Sequence, residues 1–198
     1  MTYAAARALK VAVYGAQSPL GQALINELLN RQHEAVPLQA NLRALPPRPY
    51  PPSTSGNVFS AYKVSQGVAG MRAVVAVLEP PRVVEAEDPS YLIDAVAALI
   101  SGLRKVKVSQ LMLVGDFAAL ENDEVDPRWR RVCQKIHERL DSSPLHWTLV
   151  NCPILDERGC DEGSTSLEED YELLHLAAEV ADVLEKPGHS GQQLNLDT

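Results

Sequence analysis

The chain has 198 residues, of which 45% are hydrophobic and 22% charged, a balance typical of globular proteins. A chain of this length can bury a sizeable core without the support of disulfides or metal ions. Its formal net charge of −8 argues against non-specific binding to nucleic acid, because phosphates require a basic surface.

The cysteines and the apolar runs indicate the cellular setting. Cys133, Cys152 and Cys160 match no zinc or redox spacing, and an odd number is a poor disulfide framework, so we expect free thiols. The chain shows no apolar core of signal-peptide type and no apolar run of membrane-spanning length. We therefore expect a cytoplasmic protein with neither nucleic acid nor membrane as a partner.

Apolar runs alternate with helical patterns along the chain. Strands are predicted at Lys10–Tyr14, Glu34–Gln39, Ala73–Leu78, Gln110–Val114, His146–Asn151 and Gln192–Leu196. Helices are predicted to begin at Pro19, Pro89, Pro127 and Glu168. The alternation predicts a single α/β domain over residues 1–198, with a doubly wound, mainly parallel sheet and helices on both faces.

Two segments between these elements have simpler interpretations. The proline-rich segment Leu45–Gly56 predicts an irregular surface loop or a ragged sheet edge, because proline cannot donate to a strand ladder. His33, just before the second strand, is expected on the surface. The five histidines show no metal-binding spacing, so no metal is expected.

Ligands of such folds bind where the parallel strands end, near the point at which strand order reverses. The first strand ends in the segment Gly15–Gly21, which reads GAQSPLG and opens a helix. Gly15 would form the tight turn, and Gly21 would let the helix pack closely. The amides at the start of the helix would then face a diphosphate. A glycine turn without a ligand is the alternative.

Several segments in this order resemble one known family. They are KVAVYGAQSPLGQALINELL from Lys10, Gly56-Asn57-Val58, LMLVG from Leu111, and LHWTLVNCP from Leu145. They are similar to the atypical short-chain dehydrogenase/reductases of the NmrA-like, NAD(P)H-flavin-reductase-like type. The resemblance covers nearly the whole chain and implies a Rossmann-type NAD(P)-binding domain of a possible oxidoreductase. The cofactor contacts it implies, together with the predicted strand ends, are Gly15, Gln17, Ser18, Pro19, Leu20, Gly21, Asn41, Arg43, Asn57, Leu78, Glu79, Gly115, Lys135, Cys152 and Pro153.

The chain departs from the family pattern at several positions. Ser18 replaces the middle glycine, and its hydroxyl could either bind the diphosphate or partly block the site. Arg131 and Lys135 stand where classical members have Tyr-x-x-x-Lys, so the tyrosine is missing and Lys135 is the one catalytic candidate. Lys135 would hold the cofactor ribose; an ordinary surface ion pair with Glu138 is the alternative.

The choice of cofactor depends on the end of the second strand. NAD-preferring sites place an acid there, and the segment Gln39–Arg43 has none. Arg43, supported by Asn41, could pair with a 2′-phosphate, which favours NADP(H) over NAD(H). The alternative for Arg43 is a solvated loop cation.

Three functions remain open from the sequence. The first is a reductase that passes hydride from NADPH to a small flat acceptor of flavin or quinone type, which suits the missing tyrosine. The second is a non-catalytic NAD(P)-binding sensor or regulatory protein. The third is a scaffold that binds no nucleotide. The substrate region, about residues 152–168, is small, so the pocket is expected to be shallow, open or completed by a second subunit of a homodimer.

Overall fold

A computed structural model describes residues 8–38, 59–78, 90–120, 126–152, 167–186 and 188–196 of the chain. Within them lies a six-stranded sheet. The strands are β1 (Lys10–Tyr14), β2 (Glu34–Leu38), β3 (Ala73–Leu78), β4 (Gln110–Gly115), β5 (His146–Asn151) and β6 (Gln192–Asn195). The proline-rich segment Leu45–Gly56 lies outside the described residues.

All neighbouring strands of the sheet are parallel, in the order β2-β1-β3-β4-β5-β6. This arrangement confirms the predicted Rossmann-type α/β class. Within the described residues, β2 lies at the edge of the sheet. This position explains how β2 accommodates Pro37, since proline is tolerated mainly where no further strand needs its N–H.

The helices connect the strands and cover both faces of the sheet. They are α1 (Pro19–Asn30), α2 (Ala61–Gly67), α3 (Tyr91–Lys105), α4 (Pro127–Asp141) and α5 (Leu167–Glu185), with a short 3-10 helix at Ala118–Leu120. None of the helices in the described part of the chain is both long and apolar enough to cross a membrane.

The core has two layers, one on each face of the sheet. The apolar strand β3 supplies both, because successive side chains of a strand point to opposite faces. Val74, Ala76 and Leu78 pack with α2, α3 and α4, whereas Ala73, Val75 and Val77 pack with α1 and α5. The continuous apolar run therefore has the burial expected of a central parallel strand.

His33 lies in the interior, so the prediction of a surface position was wrong. Its side chain is 2% exposed. Nδ1 accepts a hydrogen bond from the Leu9 N–H (3.2 Å), and Nε2 lies 2.8 Å from Oε1 of Glu185. The last turn of α5 covers the histidine, and the local sequence around His33 contains no sign of that long-range contact.

Candidate functional site

The carboxyl ends of the strands lie along one edge of the sheet, and strand order reverses there between β1 and β3. β1 pairs with β2 on one side and with β3 on the other. Such a switch point leaves a crevice between connections that run over opposite faces. The ends of β1, β3, β4 and β5 bring Gly15, Leu78, Gly115 and Asn151 to the same edge.

Gly15 forms the turn that leaves β1. Its φ is +79°, a left-handed conformation that side chains disfavour. A Cβ at this position would also lie 2.7 Å from the carbonyl oxygen of Val77 in β3. Both the backbone conformation and the neighbouring strand therefore require a glycine, and the backbone is left open to close approach.

Gly21 is buried in the first turn of α1. A Cβ there would overlap the carbonyl oxygen of Gly15 and lie 3.0 Å from Oγ of Ser18. The close packing predicted for Gly21 is present, but its partner is the preceding turn rather than the body of the sheet. The start of α1 is thus held directly against the Gly15 turn.

Ser18 is the N-cap of α1, and its hydroxyl is engaged within the turn. The O–H donates to the carbonyl oxygen of Gly15 (2.9 Å), and Oγ accepts from the N–H of Gly21 (3.0 Å). Side-chain capping of this kind satisfies an otherwise unpaired helix amide. The single hydroxyl proton of Ser18 is therefore not available to a ligand in this conformation.

The first turn of α1 has few free amides. Pro19 has no N–H, and the N–H of Gly21 is bonded to Ser18. The N–H of Leu20 has no acceptor within the described part of the chain. The Leu20 side chain is buried in the core, whereas Gln17 and Pro19 are exposed. A ligand at this helix end would meet mainly backbone, with Gln17 beside it.

The ends of β3 and β4 also present backbone. The Leu78 side chain is buried, and a Cβ at Gly115 would lie 2.6 Å from the Leu78 carbonyl oxygen. Just beyond Gly115, Oδ1 of Asp116 accepts the N–H of Ala118 (3.0 Å) and so fixes the chain that leaves the strand. A flat ligand could therefore lie close to the backbone at these two strand ends.

Asn151 lies at the strand edge but is not among the predicted cofactor contacts. Its Oδ1 accepts the N–H of Phe117 (2.8 Å), and its Nδ2 donates to Oδ1 of Asn195 (3.0 Å). The buried carboxamide thereby ties together the ends of β4, β5 and β6. The available signal was a carboxamide that ends an otherwise apolar strand at a predicted ligand edge.

Cys152, which follows β5, is one of the predicted cofactor contacts. It is fully buried in the core layer that contains Leu176 and Ala177 of α5, while its N–H donates to the Gly115 carbonyl oxygen (2.9 Å). The alternation of β5 continues one residue beyond the strand and directs the thiol under α5. Only the backbone of Cys152 is left for a ligand.

Lys135 lies in an open groove between α3 and α4, with a volume of about 490 Å³. The groove is lined by Ala97, Ile100, Ser101, Lys135, Glu138, Arg139 and Ser142. They extend from the middle of α3 and of α4 to the residue that follows α4. Within the described part of the chain, Lys135 forms no ion pair with Glu138.

Comparison with known proteins decides the family. The sequence profile of the NAD(P)H-binding family matches residues 15–185, so the match begins at the turn glycine and covers most of the chain. The chain belongs to the NAD(P)H-binding family. This result confirms the resemblance to atypical short-chain dehydrogenase/reductases at the level of an NAD(P)H-binding Rossmann domain. A search among curated protein sequences finds no match.

Solved structures share the fold of this NAD(P)H-binding domain. A protein from Burkholderia pseudomallei has a TM-score of 0.65 and 18% identity, with 94% of this chain and 98% of that chain covered. A Rossmann-fold NAD(P)-binding family protein from Shigella flexneri has a TM-score of 0.61 and 20% identity, with coverage of 97% and 94%. The Citrobacter sp. triphenylmethane reductase, complexed with NADP(H), has a TM-score of 0.61 and 15% identity, with coverage of 94% and 69%.

Five predicted contacts of the NAD(P)H-binding domain lie outside the described residues: Asn41, Arg43, Asn57, Glu79 and Pro153. They include the residues on which the preference for a 2′-phosphate depends. Their roles therefore stay predictions.

The thiols within the described residues are structural. Cys133 and Cys152 are free and buried, and burial raises the pKa of Cys133 to about 12. The Cys133 thiol therefore stays protonated at neutral pH and is a poor nucleophile. No group of three or more potential ligands for a metal occurs within the described part of the chain.

Proposed function

We propose that this domain binds NAD(P)H across the carboxyl edge of its sheet and acts as an oxidoreductase toward a small flat acceptor of flavin or quinone type. The observation that carries the proposal is the left-handed Gly15 turn, with Gly21 packed on it, at the start of α1 and at the switch point of the sheet. Dinucleotide diphosphates bind at this place in such folds.

The electrostatics of the turn suit a diphosphate. The amino end of α1 carries the positive end of the helix dipole, and no acidic side chain lies in its first turn. Gly15 has no side chain to hold a phosphate away, and the Leu20 N–H has no competing acceptor within the described residues. The residues present therefore fit the phosphate part of a dinucleotide.

The rest of the edge suits an acceptor that needs little acid catalysis. Leu78 and Gly115 offer backbone and apolar surroundings, and no tyrosine stands at the position of Arg131. The bound cofactor would supply the hydride, while the chain would orient the nicotinamide and exclude competing geometries. Reduction of a flavin or quinone fits this division of labour, because water can protonate the reduced ring.

NADP(H) is the proposed cofactor in preference to NAD(H). The proposal rests on the sequence of the segment that follows β2, where Arg43 and Asn41 could hold a 2′-phosphate and no acid could bind the ribose hydroxyl. Triphenylmethane reductase, which has a similar fold, is complexed with NADP(H).

The direct test is NADPH oxidation by the purified protein with FMN, riboflavin and menadione as acceptors. We expect turnover with at least one of them and slower turnover with NADH. Gly15→Ala should lose activity, whereas Gly70→Ala, a glycine with the same backbone conformation in the turn before β3, should retain it. Absence of turnover with every acceptor would contradict the oxidoreductase proposal.

A non-catalytic NAD(P)H sensor is the second candidate. It is favoured by the engagement of the Ser18 hydroxyl within the turn and by the absence of a tyrosine at the position of Arg131. Calorimetry separates the two functions, since binding of NADPH without turnover would establish the sensor.

A further inference from the structure

We propose that Ser18 and Pro19 limit the affinity of the diphosphate subsite, and that Ser18 does so by occupying the position from which a water molecule would donate to the phosphate. The proposal rests on the proposed dinucleotide function. The first turn of α1 would then bind the phosphates of the dinucleotide more weakly than a turn with glycine at position 18 and an N–H at position 19.

The position of the Ser18 hydroxyl is fixed by two backbone groups. The carbonyl oxygen of Gly15 and the N–H of Gly21 lie 2.9 Å and 3.0 Å from Oγ. The bond to Gly21 is buried, and buried backbone groups require partners. With a glycine at position 18, no side chain would reach them, and a water of similar size could bridge both.

The hydroxyl and a water differ in the number of protons they can donate. Ser18 has one proton and gives it to Gly15, so only lone pairs remain. The ionised oxygens of a diphosphate also only accept, and the hydroxyl therefore adds no hydrogen bond to them. A water at the same place could donate one proton to Gly15 and the second to a phosphate oxygen.

Pro19 removes a further donor from the same subsite. It occupies the first helical position, where any other residue would present an N–H at the helix end. Together, Ser18 and Pro19 leave the Leu20 N–H as the free amide of the first three helical residues within the described part of the chain. A dinucleotide held this way would exchange readily, because its affinity would depend mainly on contacts outside the diphosphate.

Calorimetric titration with NADPH tests the proposal on the wild type, Ser18→Gly, Ser18→Ala and Pro19→Ala. Ser18→Gly should bind NADPH about tenfold more tightly than the wild type. This is the gain in affinity expected from one additional hydrogen bond to a charged group when part of its energy is offset by ordering the water. Pro19→Ala should also bind more tightly, since it restores an N–H. Ser18→Ala is the matched control: its Cβ still excludes a bridging water, so its affinity should not increase.

The outcomes are distinguishable. Thermal unfolding will verify that the variants are folded, and glycine is tolerated at an N-cap. If the wild type binds NADPH and neither Ser18→Gly nor Pro19→Ala binds it more tightly, the proposal is overturned while the dinucleotide function stands. If neither the wild type nor any variant binds NADPH or NADH at millimolar concentration, the proposed function fails and the inference fails with it.

Discussion

Gly15 and Gly70 have nearly the same backbone conformation, with φ of +79° and +78°, but different surroundings. A Cβ at Gly15 would lie 2.7 Å from the Val77 carbonyl oxygen, whereas nothing lies within 4 Å of a Cβ at Gly70. Gly70→Ala should therefore lower the free energy of unfolding by about 1 kcal/mol, the conformational term alone. Gly15→Ala should lower it by about 3 kcal/mol, because the overlap with β3 adds to that term.

Urea denaturation of the two glycine variants measures these changes. Equal losses would show that the close approach of β3 to the turn has no energetic weight, and the argument that Gly15 is required by its neighbour would be wrong.

Asn151 is the second residue whose removal should be informative. Asn151→Ala leaves the buried N–H of Phe117 without its acceptor and should cost about 2 kcal/mol of stability. Asn195→Ala is the control, because Asn195 is exposed and its loss leaves the bond between Asn151 and Phe117 in place. Denaturant curves should show that Asn151→Ala has a much lower free energy of unfolding than Asn195→Ala. The reverse order would contradict the role of Asn151 in joining the strand ends.

At the residue scale, the sequence predicted which positions form the strand edge better than where their side chains point. The glycines at 15 and 21 were predicted because few residues fit such turns. The surface position predicted for His33 was wrong, and the sequence did not show that the Cys152 side chain is buried; α5, which is distant in sequence, covers both. The sequence leaves two roles open for Ser18, because its hydroxyl can point either toward the ligand or into the loop between β1 and α1.

At the element scale, α2 and α3 approach each other closely through Gly102. A Cβ at Gly102 would lie 2.5 Å from Cγ1 of Val64 and 2.9 Å from the carbonyl oxygen of Ala61. Gly102→Ala should therefore destabilise the protein by about 2 kcal/mol, although alanine is the better helix former. Ser101→Ala, on the exposed side of the same helix, should be neutral or slightly stabilising.

Thermal and urea unfolding of Gly102→Ala and Ser101→Ala check this contact. A Gly102→Ala protein that is as stable as the wild type would show that α2 and α3 can separate without cost.

The contact between α1 and α5 should make stability depend on pH. Hydrogen bonds from Lys186 and from Arg31 hold the pKa of Asp182 below its usual value. The stabilisation is therefore present above the unfolded value of about 3.9 and is lost as the pH falls through the lower value of the folded state. Between about pH 6 and pH 3, the wild type should lose more unfolding free energy than Asp182→Asn.

Urea titrations at several pH values measure this difference. Lys186→Met removes one of the two hydrogen-bond donors to Asp182 and should show part of the reduced pH dependence expected for Asp182→Asn. Identical pH dependence of the wild type and Asp182→Asn would contradict the account of the α1–α5 contact.

The sequence predicted the longer elements closely and missed the short one. The strand predicted at Glu34–Gln39 is Glu34–Leu38, and the helix predicted to begin at Pro127 does begin there. α2 has seven residues, about two turns, which is too short for a recognisable apolar period. It depends on Ser60 as N-cap and on packing against α3, and the latter is a long-range contact.

For the whole molecule, alternation of strands and helices was sufficient to predict the doubly wound sheet and its ligand edge. Sequence order does not show where along the strands a residue of a covering helix lies. Lys135 illustrates the limit: the family pattern predicts a cofactor contact, and in the structure Lys135 lines the groove between α3 and α4 together with Arg139. Helical periodicity predicts the face of the helix on which a residue lies, but not its distance from the carboxyl ends of the strands.

The central claim is that the segment Gly15–Gly21 binds the dinucleotide. Titration of ¹⁵N-labelled protein with NADPH, followed by ¹H–¹⁵N correlation spectra, tests it without any mutation. The account predicts the largest shifts at the amides of Gly15–Gly21 and at Gly115, with little change at Lys135 and Arg139. Shifts confined to the groove that contains Lys135 and Arg139, or no shifts at saturating NADPH, would contradict it.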